Sequence, residues 1–142
     1  MTVVVDANLL VSLIVPYPYS KGTSQKMDVW KGTGVEVIAP ILYKYEALFA
    51  LRKGVALGLI LGEEALAGLE KLFALGIRTV YPTLELHRKA LCWADRINQL
   101  VAYDAQYLAV AEQALAEFWT ADRRLAESAK EAGATWVHWI GE

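Results

Sequence analysis

The sequence predicts an α/β fold: three layers, α/β/α, around a mostly parallel sheet of about five strands. Short β-branched or apolar runs such as Thr2-Val-Val-Val5 and Val35-Glu-Val-Ile-Ala39 recur along the chain. Between them lie segments with helical spacing, as where Leu42, Tyr45, Glu46, Phe49 and Ala50 share one face. Strands that alternate with helices are joined by right-handed crossovers, which make neighbours parallel and cover both faces of the sheet.

The elements are expected in this order. Thr2 to Val5 is a buried strand ending at Asp6, and Asn8 caps a helix to about Ile14, stopped by Pro16 and Pro18. Tyr19 to Gly34, with its Gly, Ser, Thr and Lys, reads as a loop holding a short helix near Ser24 to Trp30. Val35 to Ala39 is the second strand, closed by Pro40, and a helix follows from Ile41 to Lys53. Another runs from Glu63 to Ala74, with Gly76 as its stop. Ile77 to Tyr81 is the third strand, and Thr83 caps a helix reaching Ile97. The rest reads as a helix from Ala105 to Leu115, a strand from Phe118 to Thr120, a helix from Arg123 to Ala132 ended by Gly133, and a strand from Thr135 to Trp139.

At 142 residues with 56% apolar and 21% charged side chains, the chain is expected to fold as one domain, 1–142. No repeat or low-complexity tract occurs. The start lacks the basic region of a signal peptide, and the longest apolar run, Val55 to Leu61, is too short to span a bilayer. The single cysteine, Cys92, has no partner for a disulfide and is expected to pack in the core. These features point to the cytoplasm. A net charge of −2 means that any nucleic-acid contact must come from a local basic patch.

Ligands collect at the carboxyl ends of strands in open α/β sheets. Two acids follow strands, Asp6 after Val5 and Asp122 in Thr120-Ala-Asp122, and two more stand in apolar surroundings, Glu46 and Asp104. Each has a purely structural alternative. Asp122 and Asp104 could cap helices, Asp6 could accept bonds from neighbouring amides, and Glu46 could pair with Lys44, Arg52 or Lys53. If the four converge, they repel one another and take up protons unless a cation sits among them. Oxygen ligands with no His or Cys select Mg²⁺ or Mn²⁺, an ion suited to phosphodiester hydrolysis.

Val3-Val-Val-Asp-Ala-Asn-Leu-Leu10, Glu46, Tyr103-Asp-Ala-Gln-Tyr-Leu-Ala109 and Phe118-Trp-Thr-Ala-Asp-Arg-Arg-Leu125 together resemble the motifs of PIN-domain ribonucleases. The likeness is closest to the VapC-type toxins of toxin–antitoxin pairs and runs from Val3 to about Val137. It implies that Asp6, Glu46, Asp104 and Asp122 bind Mg²⁺ or Mn²⁺ and carry catalysis, and that Thr120 orients water or substrate beside the ion. It gives Asn8 a supporting role, though the family more often has Ser or Thr there. It also implies that the first and fourth strands lie side by side, that the substrate is RNA, that the chain forms a homodimer, and that an antitoxin silences it.

Arg123 and Arg124 flank the fourth acid and are candidate RNA contacts; a solvated helix face is the alternative. The segment from Pro16 to Gly34 matches no family signature. His87 and His138 receive no catalytic role, and Trp136 and Trp139 are expected to pack or to line a dimer contact. A non-catalytic interaction module is the competing reading. An Asp-phosphorylated hydrolase is disfavoured, because Asn8 stands where its second acid belongs.

Overall fold

A computed structural model describes residues 1–142. Five strands, β1 (Thr2–Val5), β2 (Glu36–Pro40), β3 (Arg78–Val80), β4 (Glu117–Thr120) and β5 (Val137–Trp139), form one sheet in the order β3-β2-β1-β4-β5. Every neighbouring pair is parallel. The helices are α1 (Ala7–Val11), α2 (Ser20–Gly32), α3 (Leu42–Ala56), α4 (Gly62–Phe73), α5 (Leu84–Arg96), α6 (Tyr103–Ala114) and α7 (Arg123–Glu131). The expected three-layer α/β/α class with a parallel five-stranded sheet is what forms.

The chain begins in the middle of the sheet. It works outward through β2 to β3, then crosses back to β4 and β5, so the direction reverses between β1 and β4. Right-handed crossovers therefore put α1 to α4 on one face and α5 to α7 on the other. The central position explains the composition of β1: covered on both faces, it is apolar without alternation, and Val3, Val4 and Val5 are at most 1% exposed. Val4 lies between Ile38 of β2 and Phe118 of β4. Burying each such side chain contributes about 1.5–3 kcal/mol.

Several local expectations are corrected. Asp6, not Asn8, caps α1: its side chain accepts from the Leu9 amide, whereas Asn8 is exposed one residue inside the helix. The short helix expected at Ser24 to Trp30 is the thirteen-residue α2. Its polar, glycine-containing sequence reads as loop, but burial of Thr23 and Trp30 and a bond from the Thr23 hydroxyl to the Tyr19 carbonyl hold it as helix. Helix α3 runs through Gly54 instead of stopping at Lys53, because the glycine meets Val15 and Ile60, where a Cβ would lie 3.2 Å from a Val15 methyl. Cys92 is exposed, not buried: the inward face of α5 is Leu86, Ala90, Trp93 and Ala94. Thr83 caps α5 as expected, accepting from the Leu86 amide. Trp136 packs edge-on against Trp93.

Candidate metal centre

The turn from β1 into α1 builds the first part of the site. Asp6 is extended, with φ −82° and ψ 164°, and its carboxylate faces back into the turn that it caps. Its Oδ1 accepts from the Leu9 amide at 2.9 Å, and its Oδ2 from the Thr120 hydroxyl at 2.5 Å and the Ala121 amide at 3.2 Å. The carboxyl end of β4 thus grips the acid at the carboxyl end of β1. Thr120 is fully buried, and its Oγ1 also accepts from the Asp122 amide at 3.0 Å. Asp122 itself is exposed and caps α7 through the Leu125 amide at 3.1 Å.

The other two acids reach the same end of the sheet from helices. Glu46 lies half-buried in the second turn of α3, where its Oε1 accepts from the Tyr107 hydroxyl at 2.6 Å. Asp104 stands half-buried in the first turn of α6, where a carboxylate suits the helix dipole, and its Oδ2 accepts from the Gln99 side chain at 2.9 Å. It is not the cap of that helix, which begins at Tyr103.

Burial pushes the Asp6 carboxyl up from 3.8 to about 6; bonds from Thr120, Leu9 and Ala121 oppose the rise, and the charge of Asp104 adds to it. Glu46 and Asp104 are also raised by burial. The Tyr107 and Gln99 bonds oppose these shifts, while Asp104 acts on Glu46 and Asp122 acts on Asp104. Asp104 is thus the acid that feels or imposes charge on all three others.

Compensation distinguishes these groups from the other acids. Of the sixteen acids, five are not exposed: Asp6, Glu46, Asp104, Glu112 and Glu117. Glu112 pairs with Lys89 at 3.2 Å, and Glu117 accepts from the Trp119 indole at 2.9 Å and stands 3.8 Å from His138, a cation only when protonated. Asp6, Glu46 and Asp104 make no ion pair, so Lys44, Arg52 and Lys53 do not neutralise Glu46. Withdrawn negative charge without a cation is costly, and an all-oxygen donor set of this kind matches Mg²⁺ or Mn²⁺. The residues fit such an ion in charge and chemistry. As the side chains stand, however, no three Asp, Glu, His or Cys groups are gathered into a ligand set. Tyr107 and Gln99 each hold one oxygen of the two helical acids.

The remaining candidates fall around this centre. Asn8 is exposed on α1, and its side chain makes no hydrogen bond to the acids. Arg123 bonds Glu127 at 2.9 Å and lies over the Trp139 ring, whereas Arg124 is exposed and makes no ion pair. Sequence reasoning missed three residues. Tyr107 sits one turn after Asp104 on α6, but in an apolar helix its hydroxyl gives no separate signal. Gln99 lies in a turn five residues before Asp104, where nothing marks it. Tyr19 of the unassigned segment stacks on Tyr17 at 5.4 Å and is pushed up to about 12 by burial, then by the charges of Asp6 and Tyr17.

This architecture, a parallel sheet in the order β3-β2-β1-β4-β5 with helices on both faces, has the fold of VapC-type PIN-domain proteins. Among solved structures, the chain is similar to VapBC2 from Rickettsia felis bound to a DNA fragment from their promoter, with a TM-score of 0.71 at 10% identity over 98% of each chain. It is similar to VapC20 of Mycobacterium tuberculosis, a sarcin–ricin loop cleaving toxin, with a TM-score of 0.66 at 15% identity over 89% of this chain and 94% of that one. It is also similar to PAE2754 from Pyrobaculum aerophilum, with a TM-score of 0.69 at 24% identity over 99% of this chain and 85% of that one. At these identities the likeness is one of fold. No family model matches the sequence, and no curated protein matches it.

Proposed function

We propose that the chain, acting as one unit over residues 1–142, is a divalent-metal-dependent endoribonuclease and the toxin of a toxin–antitoxin pair. The observation that carries this reading is the uncompensated charge of Asp6, Glu46 and Asp104 at the reversal point of a VapC-type sheet. Asp6, Glu46, Asp104 and Asp122 would hold Mg²⁺ or Mn²⁺, which when bound lowers the charge barrier to attack on an RNA phosphodiester. Thr120 keeps the Asp6 carboxylate facing the site, and the β1–β4 pairing keeps Asp6 and Asp122 across the reversal. Arg124, exposed and without an ion pair, would meet a phosphate of the substrate.

The partners follow from the same reading. Tyr45, Leu48, Phe49, Leu66 and Phe73 expose apolar surface on neighbouring α3 and α4, which suits an antitoxin or a second copy of this chain. No helix is long and apolar enough to cross a membrane, in keeping with action in the cytoplasm.

The second reading is a non-catalytic interaction module, favoured by the absence of a closed ligand set. A ribonuclease assay with Mg²⁺, with Mn²⁺ and with EDTA, on the wild type and on Asp6→Asn and Asp122→Asn, separates the two. Cleavage that stops with EDTA and in both variants is expected, as is a melting temperature raised by millimolar Mg²⁺ in the wild type alone. Cleavage at an unaltered rate in both variants would reject the acid site. No cleavage of any RNA, with no shift on adding metal, would favour the module.

A further inference from the structure

The hydroxyl of Tyr107 stands where three elements of the site converge. It donates to Glu46 Oε1 on α3 at 2.6 Å, and α6, which carries it, packs on β1 and β4. Its ring is 1% exposed and stacks on Phe118 of β4, with centroids 5.6 Å apart and planes 12° from parallel. Phe118 is in register with Val4 of β1. The ring is therefore packed in the core against β4. Tyr107 also follows Asp104 by three residues on α6, so the two side chains lie on one helix face.

A phenylalanine would fill the same space and leave no hydroxyl to satisfy. The hydroxyl has instead a single strong acceptor, Glu46, which makes no ion pair and whose Oε2 carries no hydrogen bond. We propose that Tyr107 is a positioning residue: it fixes the Glu46 carboxylate by one oxygen so that the other stays available to a divalent cation shared with Asp6 and Asp104. The proposal rests on the metal-dependent reading above, and it assigns to the core of α6 a role in ordering the site.

The test is Mg²⁺ binding without substrate, measured by titration calorimetry on the wild type, Tyr107→Phe, Glu46→Gln and the double variant. Tyr107→Phe keeps the ring stack, so its melting temperature in EDTA reports whether the fold is intact. The expected result is about tenfold weaker Mg²⁺ binding in Tyr107→Phe, the scale of lost support behind a metal ligand. That loss should vanish when Glu46 is already Gln, because the phenol acts through that carboxylate. Affinity within about twofold of the wild type, or tighter, overturns the positioning role, as does an equal loss in the Glu46→Gln background. A wild type that binds no Mg²⁺ overturns the metal reading itself, an outcome distinct from either.

Discussion

The Thr120 hydroxyl bonds the Asp6 carboxylate across 114 residues of chain, joining the carboxyl ends of the two central strands. Thr120→Val keeps the shape and removes the donor, leaving Asp6 Oδ2 with the Ala121 amide alone and the Asp122 amide without its acceptor. Stability should fall by about 1–3 kcal/mol in urea denaturation, the cost of groups left unsatisfied in a buried place. Thr120→Ser should recover most of it. Equal denaturation midpoints for wild type and Thr120→Val would show that the bond contributes nothing.

Asp6 also sets a pH dependence. Its carboxyl titrates at about 6 in the fold against 3.8 as a free side chain, so between roughly pH 4 and 6 the folded chain holds a proton that the unfolded chain has lost. Stability due to Asp6 therefore falls as pH rises through that window and is level above it. The full difference is about 3 kcal/mol. Glu46 and Asp104, raised in the same direction, add to the slope. In EDTA, Asp6→Asn should gain stability relative to the wild type on going from pH 4 to pH 7. Parallel pH profiles for the two proteins would contradict the assignment.

Leu115 ends α6 in the left-handed region at φ +52°, with its side chain 95% exposed. A residue with a Cβ is strained there and a glycine is not. Leu115→Gly should raise stability by about 0.5–1 kcal/mol despite removing an apolar side chain, because that side chain buries nothing. A lower melting temperature in Leu115→Gly would count against the strain.

Arg123 and Arg124 differ in their engagement, one paired with Glu127 and stacked over Trp139, the other unpaired. Arg124→Ala should weaken RNA binding more than Arg123→Ala does, and should lower the salt slope of the logarithmic affinity by about one phosphate contact. Identical binding curves across salt for wild type and Arg124→Ala would remove it from the interface.

The fold was legible because β1 and β2 carry the short apolar runs Val3–Val5 and Val37–Ala39 and the helices carry their own stops, as at Gly76 and Gly133, both with positive φ. The four acids could be named for the same reason: each breaks an apolar context or ends a strand. Helix α2 was legible only as a fragment, since its polar sequence is held by tertiary burial at Thr23 and Trp30, which no local pattern reveals. The partners of the acids were hidden too. Tyr107 and Gln99 meet Glu46 and Asp104 through side-chain geometry, across 61 residues in the first case.

Because β4 follows its neighbour β1 by more than a hundred residues, the middle of the sheet closes only through a long-range pairing. A nascent chain holding Asp6 has no Thr120 to steady it and no Asp122 beside it. A chain cut short before β4 therefore lacks the far edge of the centre.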